Sequence, residues 1–117
     1  MAERTADAAL ITYSVGDQFI IALKGELDLA LALTLQPTLG EALPPRPGTV
    51  VVNLGQVTFM DCSGLALLCR LRERVAGRGG TLVLLGPRPV VRRLLRLAPL
   101  DERFVVIDRL LPARTLN

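Results

Sequence analysis

Histidine is absent from all 117 residues. Its absence removes the commonest metal ligand and general base. Neither metal chemistry nor a Ser-His-Asp triad is therefore expected, and no catalytic or metal-binding residue and no cofactor is assigned. Tryptophan is also absent, with one tyrosine and three phenylalanines. The core must be built from Leu, Val, Ile and Ala. Cysteine occurs twice, at Cys62 and Cys69. Both fall in one predicted helix, about 10 Å apart along its axis, which is too far for a disulfide. Two thiols without histidine also make a poor zinc site, so free, reduced cysteines of a cytosolic protein are expected. No apolar run approaches the roughly 18–20 residues of a spanning helix. Met1 opens a polar segment with no apolar run behind it, so no signal peptide is expected and the cytoplasm is the expected location.

What is present suffices for one domain: half of the residues are hydrophobic. The boundaries expected are a single domain over 1–117, with a core at about 8–107 and a tail at 108–117. The net charge of +3 is unevenly spread. Residues 1–64 hold three basic and seven acidic side chains, net −4, and residues 65–117 hold eleven and four, net +7. Lys24 is the only lysine; the rest of the positive charge is arginine. A chain rich in Arg, Ala, Gly, Pro and Leu suits a GC-rich genome. The arginine excess therefore has a codon-usage explanation beside a nucleic-acid one, and no aromatics interleave with it as an RNA- or DNA-binding face would have.

Ala8–Ser14 reads as a strand, Gly16-Asp17 as a turn and Gln18–Leu23 as a second strand, the two forming a hairpin. Gly25-Glu26-Leu27-Asp28 is expected to break that second strand. Asp28 stands where a helix N-cap belongs, and Leu31, Leu35, Leu39 and Leu43 step by four along one face of a helix over Leu29–Leu43. Pro44-Pro45-Arg46-Pro47-Gly48 ends it in an exposed loop. Thr49–Asn53 is a β-branched run of the kind buried on both faces of a sheet, followed by a short connection to Asp61. The next helix puts Leu65, Leu68, Leu71 and Val75 inward and Arg70, Glu73, Arg74 and Arg78 outward. Gly77-Arg78-Gly79-Gly80 caps it. Thr81–Leu85 is a further buried strand. A helix over about Pro89–Leu97 turns Val91, Leu94, Leu95 and Ala98 inward and Arg88, Arg92, Arg93 and Arg96 outward. Phe104–Ile107 is a short edge strand or extended segment, and residues from Asp108 form a helical turn or a tail. Strands alternating with helices imply parallel pairing by right-handed crossovers, and the leading hairpin makes the sheet mixed.

The densest cluster of small polar groups is Asp61-Cys62-Ser63-Gly64. A strand delivers it to a helix N-terminus, where free backbone N–H groups and the positive end of the helix dipole favour an anion, a phosphoryl group or a thiolate. Asp61 reads first as the N-cap, and Gly64 as a residue that lets the helix approach the sheet closely.

Taken together, Gly25-Glu26-Leu27-Asp28, Val51-Val52-Asn53-Leu54, Phe59-Met60-Asp61-Cys62-Ser63-Gly64-Leu65 and the Gly79-Gly80 turn before a Leu-Val-Leu strand resemble a STAS domain, over roughly residues 8–107. In length and motif the chain is most similar to the free-standing bacterial anti-sigma factor antagonists. The resemblance implies an α/β fold: a STAS-type mixed sheet of four to five strands with three or four helices packed against it. It implies a non-enzymatic switch that binds a serine-kinase anti-sigma factor and so releases a sigma factor, as a monomer or weak dimer that touches neither nucleic acid nor membrane directly. In the family, the kinase phosphorylates a serine directly after the motif aspartate, which weakens binding. Here Cys62 holds that position, so the neighbouring Ser63 is the candidate acceptor. The partner surface implied is Asp28, Phe59, Asp61, Cys62, Ser63, Gly64 and Leu65.

Two other function classes stay open at this level. One is an accessory STAS subunit of an ABC-type membrane transporter, which neighbouring permease and ATPase genes would favour. The other is a thiol enzyme or redox sensor, which would require Cys62 to be alkylated ahead of Cys69 at neutral pH.

Overall fold

The structure is a computed structural model, and it describes residues 3–6, 9–97 and 104–110. Strands β1 (Glu3–Ala6), β2 (Leu10–Val15), β3 (Gln18–Leu27), β4 (Thr49–Met60), β5 (Thr81–Leu85) and β6 (Val105–Ile107) form one sheet in chain order. Helix α1 (Leu29–Ala42) joins β3 to β4, α2 (Cys62–Gly77) joins β4 to β5, and α3 (Pro89–Leu97) follows β5. The first two strand pairs are antiparallel and the remaining three are parallel. This is the mixed α/β sheet expected, with β1 as a further strand at its edge.

The hairpin forms because Gly16 takes φ 59°, which suits the first central position of its two-residue turn and closes Val15 onto Gln18. The core follows from side-chain alternation. Val50, Val51 and Val52 are all buried to within 1%, which confirms a strand covered on both faces. Val50, Val52, Leu54, Ile21 and Leu84 face the helices, packing with Leu35, Leu39, Leu68, Leu71, Val75, Val91 and Leu95. Ile20, Val51 and Leu85 point to the opposite face beside Tyr13 and Ile107. Of the four leucines expected on the inner face of α1, Leu35, Leu39 and Leu43 are buried and Leu31 only partly so; Leu43 lies just past the helix as its C-cap.

Several boundaries differ from the sequence reading. The first hairpin strand starts at Leu10; Ala8 lies outside the described residues, as do Ala98 and residues 111–117. Gly25-Glu26-Leu27-Asp28 does not break β3. The strand runs on to Leu27, with register shifts between Ala22 and Lys24 and between Gly25 and Glu26. Gly25 takes φ 97°, a conformation glycine adopts without steric cost, and so serves as a bulge rather than a stop. Likewise β4 does not end at Asn53. The Asn53 side-chain oxygen accepts from Gly55 N–H at 2.9 Å, and the strand continues to Met60 against the extended β3. The proline loop is only partly exposed: Pro47 is buried, and the Arg78 guanidinium donates to the Leu43 and Pro44 carbonyls at 2.9 and 3.1 Å.

Candidate functional site

The lengthened strands set up the site. Beyond Asn53, β4 no longer pairs with β5, so β3 and β4 project as a ribbon in which Glu26 faces Phe59 and Leu27 faces Met60. Helices α1 and α2 spring from the tips of this ribbon, side by side.

Each start is capped by its aspartate in extended conformation. Asp28 accepts from Leu31 N–H at 3.0 Å. Asp61 accepts from Ser63 N–H at 2.8 Å and from Gly64 N–H at 3.3 Å through the same carboxylate oxygen. These bonds satisfy donors that the first turn of a helix leaves without intrahelical partners. Both carboxylates are half-buried and turned toward backbone N–H groups. Their first task is to hold the ribbon-to-helix corners.

Gly64 fixes how closely α2 sits on the ribbon. A Cβ there would lie 2.6 Å from Met60 Cγ and 2.8 Å from the Leu27 carbonyl oxygen, so only glycine fits without movement. Leu65 is 6% exposed and belongs to the core. Of the residues singled out from the sequence, Gly64 and Leu65 thus shape the surface from beneath. Phe59 at 44% exposure and Cys62 form its open part, with Asp28, Asp61 and Ser63 half-buried between them. The geometry brings all seven to one end of the molecule.

The sequence reading missed Leu29 and Leu33. They are 57% and 63% exposed on α1, next to the capped corner. The signal was present in the leucine spacing. A helix that buries Leu35, Leu39 and Leu43 on one face cannot also bury leucines at 29 and 33, about 90° or more around its axis from that face's centre.

The site is small, polar at its centre and apolar at its edges. Among the described residues no group of three His, Cys, Asp or Glu side chains could hold a metal ion, and no helix is long and apolar enough to cross a membrane. A half-buried hydroxyl and an exposed thiol at a helix N-terminus, flanked by exposed Phe and Leu, suit docking and modification.

Comparison with known proteins agrees with this architecture. A family model described as "Mlab, STAS domain" matches residues 12–112. The anti-sigma-F factor antagonist RsfB of Mycobacterium tuberculosis is 30% identical over 108 residues, covering 90% of this chain and 88% of the relative. The crystal structure of an anti-sigma factor antagonist from Mycobacterium paratuberculosis superposes with a TM-score of 0.78 at 24% identity, covering 87% of this chain and 86% of that one. The Bacillus cell fate determinant SpoIIAA, solved in its phosphorylated form, superposes with a TM-score of 0.66 at 23% identity, covering 86% and 93%. The chain belongs to the STAS domain family.

Proposed function

We propose that this protein is an anti-sigma factor antagonist. It binds a serine-kinase anti-sigma factor through the end of the molecule where α1 and α2 begin, and so frees a sigma factor for transcription. It acts by binding rather than by catalysis, in the cytoplasm. The observation that carries the reading is the Asp61-Cys62-Ser63-Gly64 corner, capped, accessible and edged by Phe59 and Leu29, in a chain 30% identical to a protein of that name.

Asp28, Phe59, Asp61, Cys62 and Ser63 form the docking surface, with Gly64 and Leu65 supporting it. Ser63 is the phosphoacceptor. The γ-phosphoryl of the kinase's ATP passes to Ser63 Oγ, the hydroxyl proton leaves to a base on the kinase, and ADP departs. Phosphoserine adds about −1.5 to −2 charge. At the first turn of α2 that charge is tolerated by the fold, because the positive end of the helix dipole favours an anion. On a docking surface it adds bulk and repels carboxylates. A thiol does not serve as the ordinary acceptor of a serine kinase, which leaves Ser63 as the hydroxyl at this corner.

The test incubates the purified protein with a serine-kinase anti-sigma factor from the same organism and labelled ATP. Label is expected on the wild type and on Cys62→Ala, and not on Ser63→Ala. Label that persists on Ser63→Ala removes the acceptor assignment. A complex that survives Asp61→Lys removes the docking assignment. Co-purification with a transporter ATPase instead of a kinase would place the protein in the accessory-subunit class.

A further inference from the structure

The arginines of α2 and α3 and of the residues that flank them divide by what they touch. Arg72 stacks over the Phe104 ring at 5.8 Å, Arg78 donates to two carbonyls, Arg88 donates to the Gly55 carbonyl at 2.8 Å, and Arg92 pairs with Asp108 at 3.0 Å. These four hold the fold together. Among the described residues Arg92–Asp108 is the one ion pair, which leaves Arg70, Arg74, Arg93 and Arg96 without a carboxylate. Arg93 and Arg96 stand on α3. Arg70 and Arg74 stand in the seam between α1 and α2, which they line with Gln36, Gly40 and Leu67.

That seam has an order. Both helices follow parallel strands, so they run in the same direction. On α1, residues 29, 33, 36 and 40 fall within about 60° of one another around the helix axis; on α2, residues 63, 67, 70 and 74 do the same. The Arg74 guanidinium lies over Gly40, where a Cβ would collide with it, and Gly64 rests on the Leu27 carbonyl just ahead of α1. The lower part of the seam is thus where Gln36 and Gly40 of α1 meet Leu67, Arg70 and Arg74 of α2, and Leu29 and Leu33 continue the same face of α1 toward its capped start. From the capped end downward the seam therefore presents the exposed leucines of α1, then two unpaired guanidinium groups of α2.

We infer that the α1–α2 seam is a docking groove for an acidic amphipathic element of the partner protein, whose apolar residues cover Leu29 and Leu33 and whose carboxylates pair with Arg70 and Arg74. Two exposed leucines in line with two unpaired arginines match one such element in both character and length: Ser63 to Arg74 spans about 16 Å, roughly three helical turns. Apolar contact excludes water from the upper half, and planar guanidinium groups bind carboxylates in a fixed, often bidentate geometry in the lower half. The groove begins at Ser63. A phosphate there sets a strongly hydrated charge beside the upper half, where the partner's apolar residues must exclude water, so the inference deepens the proposed function and rests on it.

The test measures affinity for the purified serine-kinase anti-sigma factor at low and physiological salt. Arg70→Glu, at an exposed position, is expected to weaken binding about tenfold, and Arg70→Glu with Arg74→Glu about a hundredfold, with most of the salt dependence lost. Arg93→Glu with Arg96→Glu makes the same change in net charge on α3 and is expected to alter affinity less than about twofold at physiological salt. Equal losses for the two double variants would mean that net charge, not the seam, is read, and would overturn the inference. No loss with Arg70→Glu would do the same. Because Arg74 packs over Gly40, the single Arg70 variant carries the test if the double variant unfolds.

A second measurement needs no kinase. A synthetic helical peptide with leucines and glutamates spaced to match the seam is titrated into labelled protein and followed by NMR. Shifts confined to residues 29–40 and 63–74, and lost when lysine replaces glutamate, support the groove even if the kinase proves not to be the partner. Equal shifts with the lysine peptide overturn it, as does self-association of the protein that Leu33→Glu abolishes, since a second copy would then own the seam.

Discussion

Helices α1 and α2 both start on an aspartate cap at the tip of the same ribbon, yet the residues behind the caps meet different surroundings. Behind Asp28 come Leu29 and Leu33, large apolar side chains more than half exposed. Behind Asp61 come small residues: Cys62 at the surface, Ser63 half-buried, and Gly64 pressed onto the Leu27 carbonyl. The glycines invert the contrast. Gly64, in the first turn of α2, faces backbone and the Met60 side chain; Gly40, late in α1, faces only the movable end of Arg74. One helix is seated closely and presents small modifiable groups. The other meets only a movable side chain at its glycine and presents large apolar groups to solvent. A docking surface that can be switched needs both, because the apolar part supplies affinity and the small polar part admits a phosphate without disturbing the fold.

The largest expected effect comes from removing the close seating of α2. A Cβ at Gly64 meets a carbonyl oxygen that cannot retreat without moving the end of β3. Gly64→Ala should cost about 3 kcal/mol, as overpacking of a rigid site does. Urea unfolding should show a lower midpoint at unchanged slope. A cost under about 1 kcal/mol would mean that α2 can slide off the ribbon, and the contrast with α1 would dissolve.

The caps come next. Asp61 satisfies two backbone donors and Asp28 one. Asp61→Ala should cost about 1.5 kcal/mol and Asp28→Ala about 1 kcal/mol, within the range of lost N-caps. Parallel urea titrations would reveal the order. Equal costs would show that the second bond, at 3.3 Å, contributes nothing and that the two corners are equivalent.

How much of this was legible in the sequence depends on how local the cause is. The valines at 50–52 and the stripe Leu65, Leu68, Leu71, Val75 identify their own elements, because burial on one face or two leaves a periodic trace. The caps were legible for the same reason, since an aspartate before an apolar-periodic run has one common use. The outer half of β4 was not. Gly55, Gln56 and Thr58 look like a connection, and they become a strand only because β3 continues alongside through the Gly25 bulge. That pairing joins residues some thirty positions apart and leaves no local signature. The same holds for the site. Asp61 and Ser63 could be found from the motif, but Leu29 and Leu33 join them only because the sheet takes the other side of α1. Likewise, the free arginines could be told from the structural ones only once each partner was in place.

The smallest expected effect probes α1. Gly40 sits inside α1, where exchanging glycine for alanine stabilises a helix by about 0.5–1 kcal/mol. Opposing this, the new Cβ would displace the Arg74 guanidinium, the far end of a flexible side chain, at a cost of about 0.5–1.5 kcal/mol if it is held off a rotamer minimum. The two terms nearly cancel, so Gly40→Ala should leave the urea midpoint almost where it was, in contrast to the loss at Gly64. A loss as large as that of Gly64→Ala would show that Arg74 cannot move aside. The seam would then be as rigid as the ribbon corner, and α1 and α2 would be seated alike.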